Sequence, residues 1–487
     1  MDTKKLRQKI LDLAIRGKLV PQDPNDEPAS VLLERIRAEK ERLIKEGKIK
    51  RSKKSASDTP HYENEVPFEV PQGWEWCKLD DLAFITKLAG FEYTNFIADN
   101  LSKTEGVPLF KGKNVQNGRI IYEFESYIPL DISNSLPRSQ INKKCLLTPY
   151  VGTIGNIGIH DKTGIYHLGS NVGKIELFNE NVINVHEEFI RYYLMSTYGY
   201  IELTKHRKAT AQESISIDAI RDVDIALPPV REQLRIIKKI QYWLSFINTI
   251  DNECFEMSNF ISKTKSKILD LAIHGKLVPQ DPNDEPAIEL LKRINPKFTP
   301  CDNAHYGNPY EIPKSWEWVK LSDIAISELG KTLDKGKNTG IPYDYLCAFN
   351  VKWCSFDLSI VKKILLEDDE LERYKVRKGD LLICEGGDVG RAAIWESDDV
   401  IYYQNALHRV RFMDEINQYF YLYVLQYYKS LGMIDDVSGG VTIKHFTQNS
   451  MKKLSFPLPP INEQIRIVAK IEELFSVLDD ITSSLES

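Results

Sequence analysis

The chain contains the same unit twice, and this internal repeat restricts its fold more than any other feature of the sequence. Residues 10–29 read ILDLAIRGKLVPQDPNDEPA and residues 268–287 read ILDLAIHGKLVPQDPNDEPA, so the two segments differ only at Arg16 and His274. A match of this length cannot arise by chance. We therefore expect two copies of one structural unit rather than a single irregular domain.

Two further pairs of segments extend the repeat over almost the whole chain. VPQGWEWCKLDDLA begins at Val70, and its partner IPKSWEWVKLSDIA begins at Ile312. ALPPVREQLRIIKKI begins at Ala226, and its partner PLPPINEQIRIVAKI begins at Pro457. Between these anchors only a skeleton of Asn-Val and paired glycines is shared. The two copies thus share framework residues, while the residues between them differ.

The ends of the chain continue the repeat. When the last pair of segments is extended, Ser487 aligns with Glu256, and when the first pair is extended backwards, Met1 aligns with Asn259. Because almost nothing lies between these positions, the repeat is cyclic. We expect the termini to lie close together on a pseudo-twofold body, with the N-terminal helix completing the C-terminal helical region.

Length and composition predict an α+β protein with more than one domain. At 487 residues the chain exceeds what one hydrophobic core organises, and its 23 Tyr and 19 Phe favour sheet-containing domains. Short alternating runs bounded by Gly, Pro and Asn predict strands, with helical patches between them. We expect two mixed α/β domains joined by long helices. The predicted boundaries are 1–59 for an N-terminal helical segment, 60–227 for the first globular domain, 228–302 for a central helical region and linker, 303–458 for the second globular domain and 459–487 for a C-terminal helical region.

Each globular part ends in Leu-Pro-Pro, after which apolar residues recur at heptad spacing. A helix from Val230 to Ile273 would be about 65 Å long at about 1.5 Å per residue, which is the length of a spacer. The simplest way to bury two matching seams is against each other, as an antiparallel coiled coil, although each seam could instead pack on its own globular domain. The predicted seam residues are Ile237, Ile240, Leu244, Ile247, Val468, Ile471, Phe475 and Leu478.

Charge alone does not identify a partner. The formal net charge of −6 argues against a general nucleic-acid coat but permits a local basic face. One basic run, KIKRSKK from Lys48, follows a predicted amphipathic helix at 31–46 and is missing from the second copy. This run is either a solvated linker or a contact for phosphate groups.

The sequence lacks the signatures of several other classes of protein. No apolar run is long enough for a membrane helix and the N-terminus lacks the apolar core of a signal peptide, so we expect a cytoplasmic protein without membrane contact. The seven Cys form no Cys-x-x-Cys pair and the nine His are scattered singly, so no metal site is predicted.

Three catalytic classes also lack their motifs. Leu227–Val230 and Leu147–Tyr150 have no Asn or Asp of the kind that holds a flipped base beside a methyl donor. Gly330-Lys331-Thr332 matches the end of a phosphate-binding loop, but the motif is incomplete because Ala325 occupies the position of its first Gly. No carboxylate set has the spacing of a metal nuclease. We therefore predict no catalytic residues and no cofactor in this chain.

Taken together, the repeated motifs make the chain similar to the specificity subunit of type I restriction-modification enzymes over nearly its whole length. The resemblance rests on Leu-Pro-Pro-x-x-Glu-Gln at Leu227–Gln233 and Leu458–Gln464, on the Trp-x-Trp openings and on the LDLAI-x-GKLVPQDPNDEPA segments. It implies two target recognition domains that each read one half of an asymmetric split site on double-stranded DNA. It also implies helical regions that dock two modification subunits.

The same resemblance places the chemistry in other subunits. The modification subunits would bind S-adenosylmethionine and methylate adenine, and restriction subunits would use ATP and Mg²⁺ to translocate and cut DNA. This chain would be a non-catalytic subunit of that complex. The alternative is a scaffold derived from a specificity subunit that no longer reads DNA.

Base readout and phosphate contact require polar or basic side chains on loops, so candidates follow from loop position and residue type. For each of them the alternative is an exposed side chain that contacts nothing. The candidate DNA-binding residues are Lys111, Lys113, Asn114, Thr153, Asn156, Lys205, His206, Arg207, Lys208, Lys335, Lys337, Lys352, Arg391, Lys444 and His445. Two further sets are expected to be structural, as tight turns and as core or seam anchors; the alternatives are that the glycines approach a phosphate and that the tryptophans stack on bases. They are Gly152, Gly155, Gly387 and Gly390, and Trp74, Trp76, Trp316 and Trp318.

Overall fold

The computed structural model divides into two units, Met1–Glu253 and Cys254–Ser487. It describes residues 2–50, 66–179, 185–205, 213–296, 298, 310–334, 336, 338–440 and 444–486. Each unit has its own hydrophobic clusters. The repeat seen in the sequence is therefore a repeat of folding units.

Unit 1 begins with two helices and continues as a domain of short strands and helices. Its helices are α1 (Thr3–Ile15), α2 (Ala29–Lys45), α3 (Leu79–Leu82), α4 (Gly90–Glu92), α5 (Leu130–Ser135), α6 (Glu187–Met195), α7 (Thr197–Thr204), α8 (Ile217–Arg221) and α9 (Val230–Ile273), the last of which runs on into unit 2. Its strands are β1 (Glu75–Lys78), β2 (Ala83–Lys87), β3 (Val107–Phe110), β4 (Val115–Gln116), β5 (Arg119–Ile120), β6 (Tyr127–Ile128), β7 (Gln140–Ile141), β8 (Cys145–Pro149), β9 (Gly158–His160), β10 (Tyr166–Leu168), β11 (Val172–Leu177) and β12 (Asp224–Leu227).

Unit 2 consists of the second half of α9 and a second domain of short strands and helices. Its further helices are α10 (Ala287–Ile294), α11 (Leu321–Ile324), α12 (Leu371–Tyr374), α13 (Gln418–Ser430), α14 (Met433–Val437), α15 (Gln448–Lys453) and α16 (Ile461–Glu486). Its strands are β13 (Glu317–Val319), β14 (Ala325–Leu329), β15 (Ile341–Leu346), β16 (Val351–Lys352), β17 (Ser355–Phe356), β18 (Lys362–Leu366), β19 (Lys375–Val376), β20 (Leu381–Cys384), β21 (Ala392–Ile394), β22 (Ile401–Tyr403), β23 (Leu407–Phe412) and β24 (Phe456–Leu458).

The two units pair their strands in the same order. Unit 1 has an antiparallel sheet β2-β11-β8-β9 and a mixed sheet β6-β3-β10-β7, and unit 2 has the equivalent sheets β14-β23-β20-β21 and β18-β15-β22-β19. Each unit also has one hairpin, β4-β5 or β16-β17. In each unit the first strand of the domain pairs with the last, as β1-β12 or β13-β24. This duplicated α+β architecture confirms the predicted fold class.

Within each unit, a helix carrying the ILDLAI segment runs antiparallel to the helix that follows Leu-Pro-Pro. In unit 1 the Arg7 guanidinium of α1 binds Asn248 at 2.9 Å and Asp251 at 2.6 Å on α9. In unit 2 the Lys265 ammonium of α9 binds Asp479 of α16 at 2.5 Å. The long helix has the predicted bounds, Val230–Ile273.

The predicted seam residues lie in the clusters of their own units. Ile237, Ile240 and Ile247 share a cluster with Ile10 and Leu11 of α1, with Leu244 packed against it. Val468 and Ile471 share the cluster of unit 2, with Phe475 and Leu478 packed against it. Pairing of the two seams with each other, and continuation of the C-terminal helix by the segment 1–59, stay predictions.

A buried carboxylate explains why the three repeated motifs occur together. Glu232, from Leu-Pro-Pro-x-x-Glu-Gln, is 1% exposed and accepts hydrogen bonds from Trp74 Nε1 and Gln22 Nε2, both at 3.0 Å. In unit 2, Glu463 accepts the same bonds from Trp316 Nε1 at 2.9 Å and from Gln280. Each carboxylate thus joins a Trp-x-Trp segment, a PQDPNDEPA segment and a helix start. This arrangement is termed the carboxylate lock.

Neighbouring residues complete the lock. The Gln233 amide donates to the Pro228 carbonyl at 2.9 Å and accepts from the His186 N–H at 3.1 Å, and Arg235 pairs with the buried Asp26 at 2.7 Å. Gly17 has a φ of +65°, and a Cβ there would lie 2.3 Å from the ring of Pro71, so only glycine fits beside the lock. The equivalent bonds recur in unit 2 at Gln464 and Arg466.

All four tryptophans of the Trp-x-Trp segments are buried, which confirms their predicted role as core anchors. Trp74 and Trp316 also donate to the carboxylates of the lock. Burial raises the pKa of Glu232 and of Glu463 above the ordinary value, and the hydrogen bonds from the indole and amide oppose that rise.

Replacing Trp74 with Phe should lower the free energy of unfolding by about 2 kcal/mol at neutral pH, because a hydrogen bond to a charged group contributes about 1.5–3 kcal/mol. Loss of the donor also raises the folded-state pKa of Glu232 further. When the pKa of a carboxyl is higher in the folded state than in the unfolded state, the protein loses stability as the pH rises from the unfolded-state pKa, 4.5, through the folded-state pKa. The destabilisation by Trp74→Phe should therefore be largest at neutral pH and smallest below pH 4.5.

Urea unfolding of the whole chain, at neutral pH and below pH 4.5, measures this effect. Trp316→Phe is the matched variant in unit 2 and should show the same pH dependence. Equal destabilisation of Trp74→Phe at both pH values would show that only packing, and not the bond to the carboxylate, is lost.

Candidate nucleic-acid interface

One end of the unit 1 domain is formed by loops that meet where β8 ends and β11 begins. Pro149 and Val172 are partners in the register of these two strands. The segments 111–118, 150–156, 169–171 and 213–216 meet there, and together they are termed the first loop end. Most of the residues predicted to bind DNA in the first domain belong to it.

Main-chain hydrogen bonds hold the first loop end together. The N–H of Tyr150 donates to the Asn171 carbonyl at 3.1 Å, that of Gly112 to the Ser170 carbonyl at 3.2 Å, and that of Gly152 to the Glu213 carbonyl at 3.0 Å. Because these bonds use backbone atoms, they place few demands on the side chains. Positions held only by these main-chain bonds can therefore differ in residue type without changing the arrangement of the loops.

Unit 2 builds the same end from the segments 347–354, 386–391, 404–406 and 444–446, termed the second loop end. His445 forms β-bridges to Gly386 and Gly439. The Arg391 guanidinium donates to the Ala348 carbonyl at 2.8 Å and so joins two of the loops. The two loop ends therefore occupy equivalent positions in their domains.

A glycine turn is central to each loop end. Gly152 has a φ of +82° and Gly387 a φ of +78°, a conformation that favours glycine, and no heavy atom lies within 4 Å of the Cβ position of either residue. Gly155 and Gly390 also have positive φ. The predicted tight turns are confirmed, and the space over the backbone at Gly152 and Gly387 is open.

Asn114 has a structural role instead of the predicted contact with DNA. Its side chain is 2% exposed, its Oδ1 accepts from the Lys111 N–H at 2.9 Å, and its Nδ2 donates to the carbonyls of Ile121 and Glu123, each at 2.9 Å. Asn350 makes the equivalent bonds in unit 2. The amide is buried and its bonds are used within the loop, so it shapes the loop rather than reading bases.

The other predicted residues of the first loop end remain at its surface. Lys111 donates to Ser126 at 2.7 Å, and the exposed Lys113 pairs with Glu125. Thr153 is exposed, and the Asn156 amide bridges the Thr153 carbonyl at 3.3 Å and the Asn117 N–H at 3.1 Å. Exposed ion pairs contribute little to stability, so a phosphate can replace the carboxylate partner of Lys113.

Lys205 pairs with carboxylates of its own unit. It follows the last residue of α7, Thr204, and lies 2.6 Å from Glu202 and 3.9 Å from Asp222, beside α8. Five predicted residues lie outside the described residues. They are His206, Arg207, Lys208, Lys335 and Lys337.

Four predicted residues belong to the second loop end. The Lys352 ammonium lies 4.7 Å from the ring centroid of Phe349, and Lys444 donates to the Asp435 carbonyl at 3.0 Å. Arg391 pairs with Asp388 at 3.5 Å, and His445 is exposed. This end carries cations on three separate loops.

Burial also acts on a carboxyl group at the second loop end. It raises the pKa of Glu385 above its ordinary value, and the nearby His445 opposes that rise. Glu385 directly precedes the glycine turn of this loop end.

Sequence reasoning missed three surface residues near the first loop end. Lys87, the last residue of β2, lies with its ammonium 4.6 Å from the ring centroid of Tyr150. Phe91 is 67% exposed just beyond it, and Arg119 is exposed on the β4-β5 hairpin. The sequence does contain a signal for Lys87 and Phe91. The alternating strand pattern ends at Lys87 and the aromatic segment GFEYTNF follows at residues 90–96, which places a cation and aromatic rings at the end of a strand.

The described residues contain no group of His, Cys, Asp and Glu placed to hold a metal ion. Among the same residues, no helix combines the length and the apolar character needed to cross a bilayer.

Comparison with known proteins matches both units to one family model. Residues 71–254 and 313–487 match the type I restriction modification DNA specificity domain. The chain is 29% identical to the type I restriction enzyme EcoAI specificity subunit of Escherichia coli, over 97% of this chain and 88% of that protein. It is 25% identical to the EcoEI specificity subunit of Escherichia coli, over 99% of this chain and 91% of that protein.

Solved structures share the fold. The HsdS subunit of Thermoanaerobacter tengcongensis superposes with a TM-score of 0.50 at 16% identity, covering 86% of this chain and 93% of that one. A chain from a structure described as the basis of complex assembly and conformational transition of the type I R-M system superposes with a TM-score of 0.57 at 16% identity, covering 86% of this chain and 94% of that one.

Replacing Asn114 with Ala should lower the free energy of unfolding by about 2–3 kcal/mol, because buried partners left unsatisfied each cost about 1–3 kcal/mol. Asn350→Ala should do the same in unit 2. Lys113→Ala is the control and should change stability by less than about 0.5 kcal/mol, as expected of an exposed ion pair. Urea unfolding measures all three, and an unchanged stability for Asn114→Ala would contradict the structural role.

Proposed function

Because the chain belongs to the family defined by the type I restriction modification DNA specificity domain, we propose that it reads a split double-stranded DNA target for a type I restriction-modification enzyme. Each loop end reads one half of the target. The observation that carries this proposal is the construction of the same loop end twice on one strand topology, with different side chains at matching positions.

The differences between the loop ends support an asymmetric target. Asn156 of the first glycine turn corresponds to Arg391 of the second, and Ser214 corresponds to His445. Amide, guanidinium, hydroxyl and imidazole groups favour different base edges. Two loop ends with the same main-chain frame and different donors and acceptors would therefore prefer different half-sites.

The proposal assigns the chemistry to partner proteins. Two modification subunits would supply adenine methylation with S-adenosylmethionine, and restriction subunits would use ATP and Mg²⁺ for translocation and cleavage. The similar proteins support this division, since they are specificity subunits of enzymes rather than whole enzymes. In this proposal the chain itself is not catalytic.

The purified chain should show no methylation, ATPase or cleavage activity, and should gain sequence-selective adenine methylation when combined with two copies of a modification subunit. Mapping of methylated adenines on random-sequence DNA should then report one split motif. Methyl transfer by the chain alone would overturn the non-catalytic assignment. A complex that assembles but methylates no defined motif would indicate a scaffold that no longer reads DNA.

The long helix offers a second test. α9 runs without interruption across the boundary between the units, after Glu253. Four residues inserted there add about 6 Å of helix, since each residue rises about 1.5 Å. At about 3.4 Å per base pair this corresponds to one or two additional unread positions. Four residues make slightly more than one turn, so the rotation between the flanking parts is modest.

The mapped motif should therefore keep the bases of both halves and lengthen its gap by one or two positions. Four residues inserted between Asp398 and Asp399, in an exposed loop, form the control and should leave the gap unchanged. An unaltered gap after the helix insertion would show that α9 does not set the spacing.

A further inference from the structure

One apolar side chain is exposed at the same position of both units. Phe91 lies four residues after the end of β2 and is 67% exposed, and Leu333 lies four residues after the end of β14 and is 47% exposed. The alignment that pairs the Trp-x-Trp segments also pairs these two residues, although the three residues before them differ, LAG in unit 1 and GKT in unit 2. Single exposed apolar side chains are common on protein surfaces, but one that recurs at a matching position indicates a shared role.

The strand register places both residues beside the loop ends. The last residue of β2, Lys87, pairs with Gly173 near the start of β11, where the first loop end is formed. The last residue of β14, Leu329, pairs with His408 near the start of β23, directly after the loop 404–406 of the second loop end. Each segment therefore leaves its sheet at the end of the domain that is proposed to read DNA.

Anchored neighbours hold the backbone on both sides of Phe91. Leu88 is 5% exposed and Ile97 is fully buried, and both belong to one hydrophobic cluster of unit 1. Between them the N–H of Ala89 donates to the Glu92 carboxylate at 3.0 Å. The ring of Phe91 is thus presented to solvent from a fixed backbone, which reduces the conformational entropy that it loses on binding.

Hydrogen bonds hold the segment around Leu333 in a corresponding way. Asn405, which belongs to the second loop end, donates its N–H to the Lys331 carbonyl at 3.0 Å. On the other side of Leu333, the N–H of Asn338 donates to the Asp334 carbonyl at 2.9 Å. The exposed leucine is therefore joined to the second loop end through the main chain.

The chemistry of base edges restricts what an apolar side chain can contact at a loop end. Phosphates are charged, and the major-groove edges of the bases present hydrogen-bond donors and acceptors. Among the groups that base pairs present in the major groove, the C5-methyl group of thymine is the apolar one. An apolar side chain that covers this methyl group removes apolar surface of both partners from water.

Resting on the proposed function, we propose that Phe91 covers the methyl group of a thymine in one half of the target and that Leu333 covers the methyl group of a thymine in the other half. The two side chains are specificity-determining residues in this proposal. They add an apolar contact to loop ends whose remaining candidate contacts are hydrogen bonds and ion pairs. A flat ring and a branched chain differ in shape, so each fits a thymine in different surroundings.

Binding of the full chain, in complex with the modification subunits, to a duplex that carries the mapped motif tests this inference. Each thymine of the motif is replaced in turn by deoxyuridine, which removes only the methyl group, and fluorescence anisotropy gives the dissociation constant. One replacement in each half should weaken binding about fourfold, which corresponds to about 0.8 kcal/mol for one buried methyl group. Deoxyuridine in the unread gap is the control and should have no effect.

The two residues serve as matched controls for each other. Phe91→Ala and Leu333→Ala each shorten an exposed side chain and should leave the melting temperature unchanged. Phe91→Ala should abolish the effect of deoxyuridine in one half of the motif only, and Leu333→Ala should abolish it only in the other half.

The inference would be overturned if deoxyuridine has no effect on the unaltered protein, or if either variant abolishes its effect in both halves or in neither. These outcomes leave the proposed function intact, because the complex still binds its motif. A complex that binds no defined motif would instead overturn the proposed function, and with it this inference.

Discussion

The carboxylate lock is the interaction on which each unit depends. Glu232 and Glu463 are buried carboxylates, and a charge in such a position is costly unless hydrogen bonds satisfy it. An indole N–H and a glutamine amide do so in both units. Because those donors come from segments far apart in the chain, the need to satisfy one carboxylate brings a strand start, a proline-rich loop and a helix start to the same place.

This constraint separates the parts of the sequence that must stay alike from those that can differ. The lock uses side chains, so Trp74, Gln22 and Glu232 have identical counterparts in unit 2. The loop ends instead use main-chain bonds between 111–118, 150–156, 169–171 and 213–216. Apart from the buried Asn114 and Asn350, which are the same in both units, their side chains can vary with little structural penalty, which is what two readers of different half-sites require.

The sequence predicted the architecture well, because repetition exposes the residues that the framework needs. It predicted the repeated α/β domains, the bounds of the long helix, the glycine turns and the buried tryptophans. It was wrong about Asn114, because an amide on a polar loop has the same sequence signal whether it reads bases or closes the loop. Periodicity identified the face of α9 that is buried, but it could not name α1 as a neighbour, since heptad spacing carries no information about the partner.

The paired charges of the loop ends reconcile an acidic chain with the proposed reading of DNA. Lys113, Arg391 and Lys444 each lie beside a carboxylate or carbonyl of their own unit. Exposed pairs of this kind contribute between about 0 and 1 kcal/mol, so exchanging the internal partner for a phosphate costs little. The carboxylates repel the phosphates of every duplex, and only a duplex with the right base edges gains the base contacts that offset this repulsion. Local pairing of this kind weakens non-specific attraction more than specific contact, which favours discrimination over general affinity for DNA.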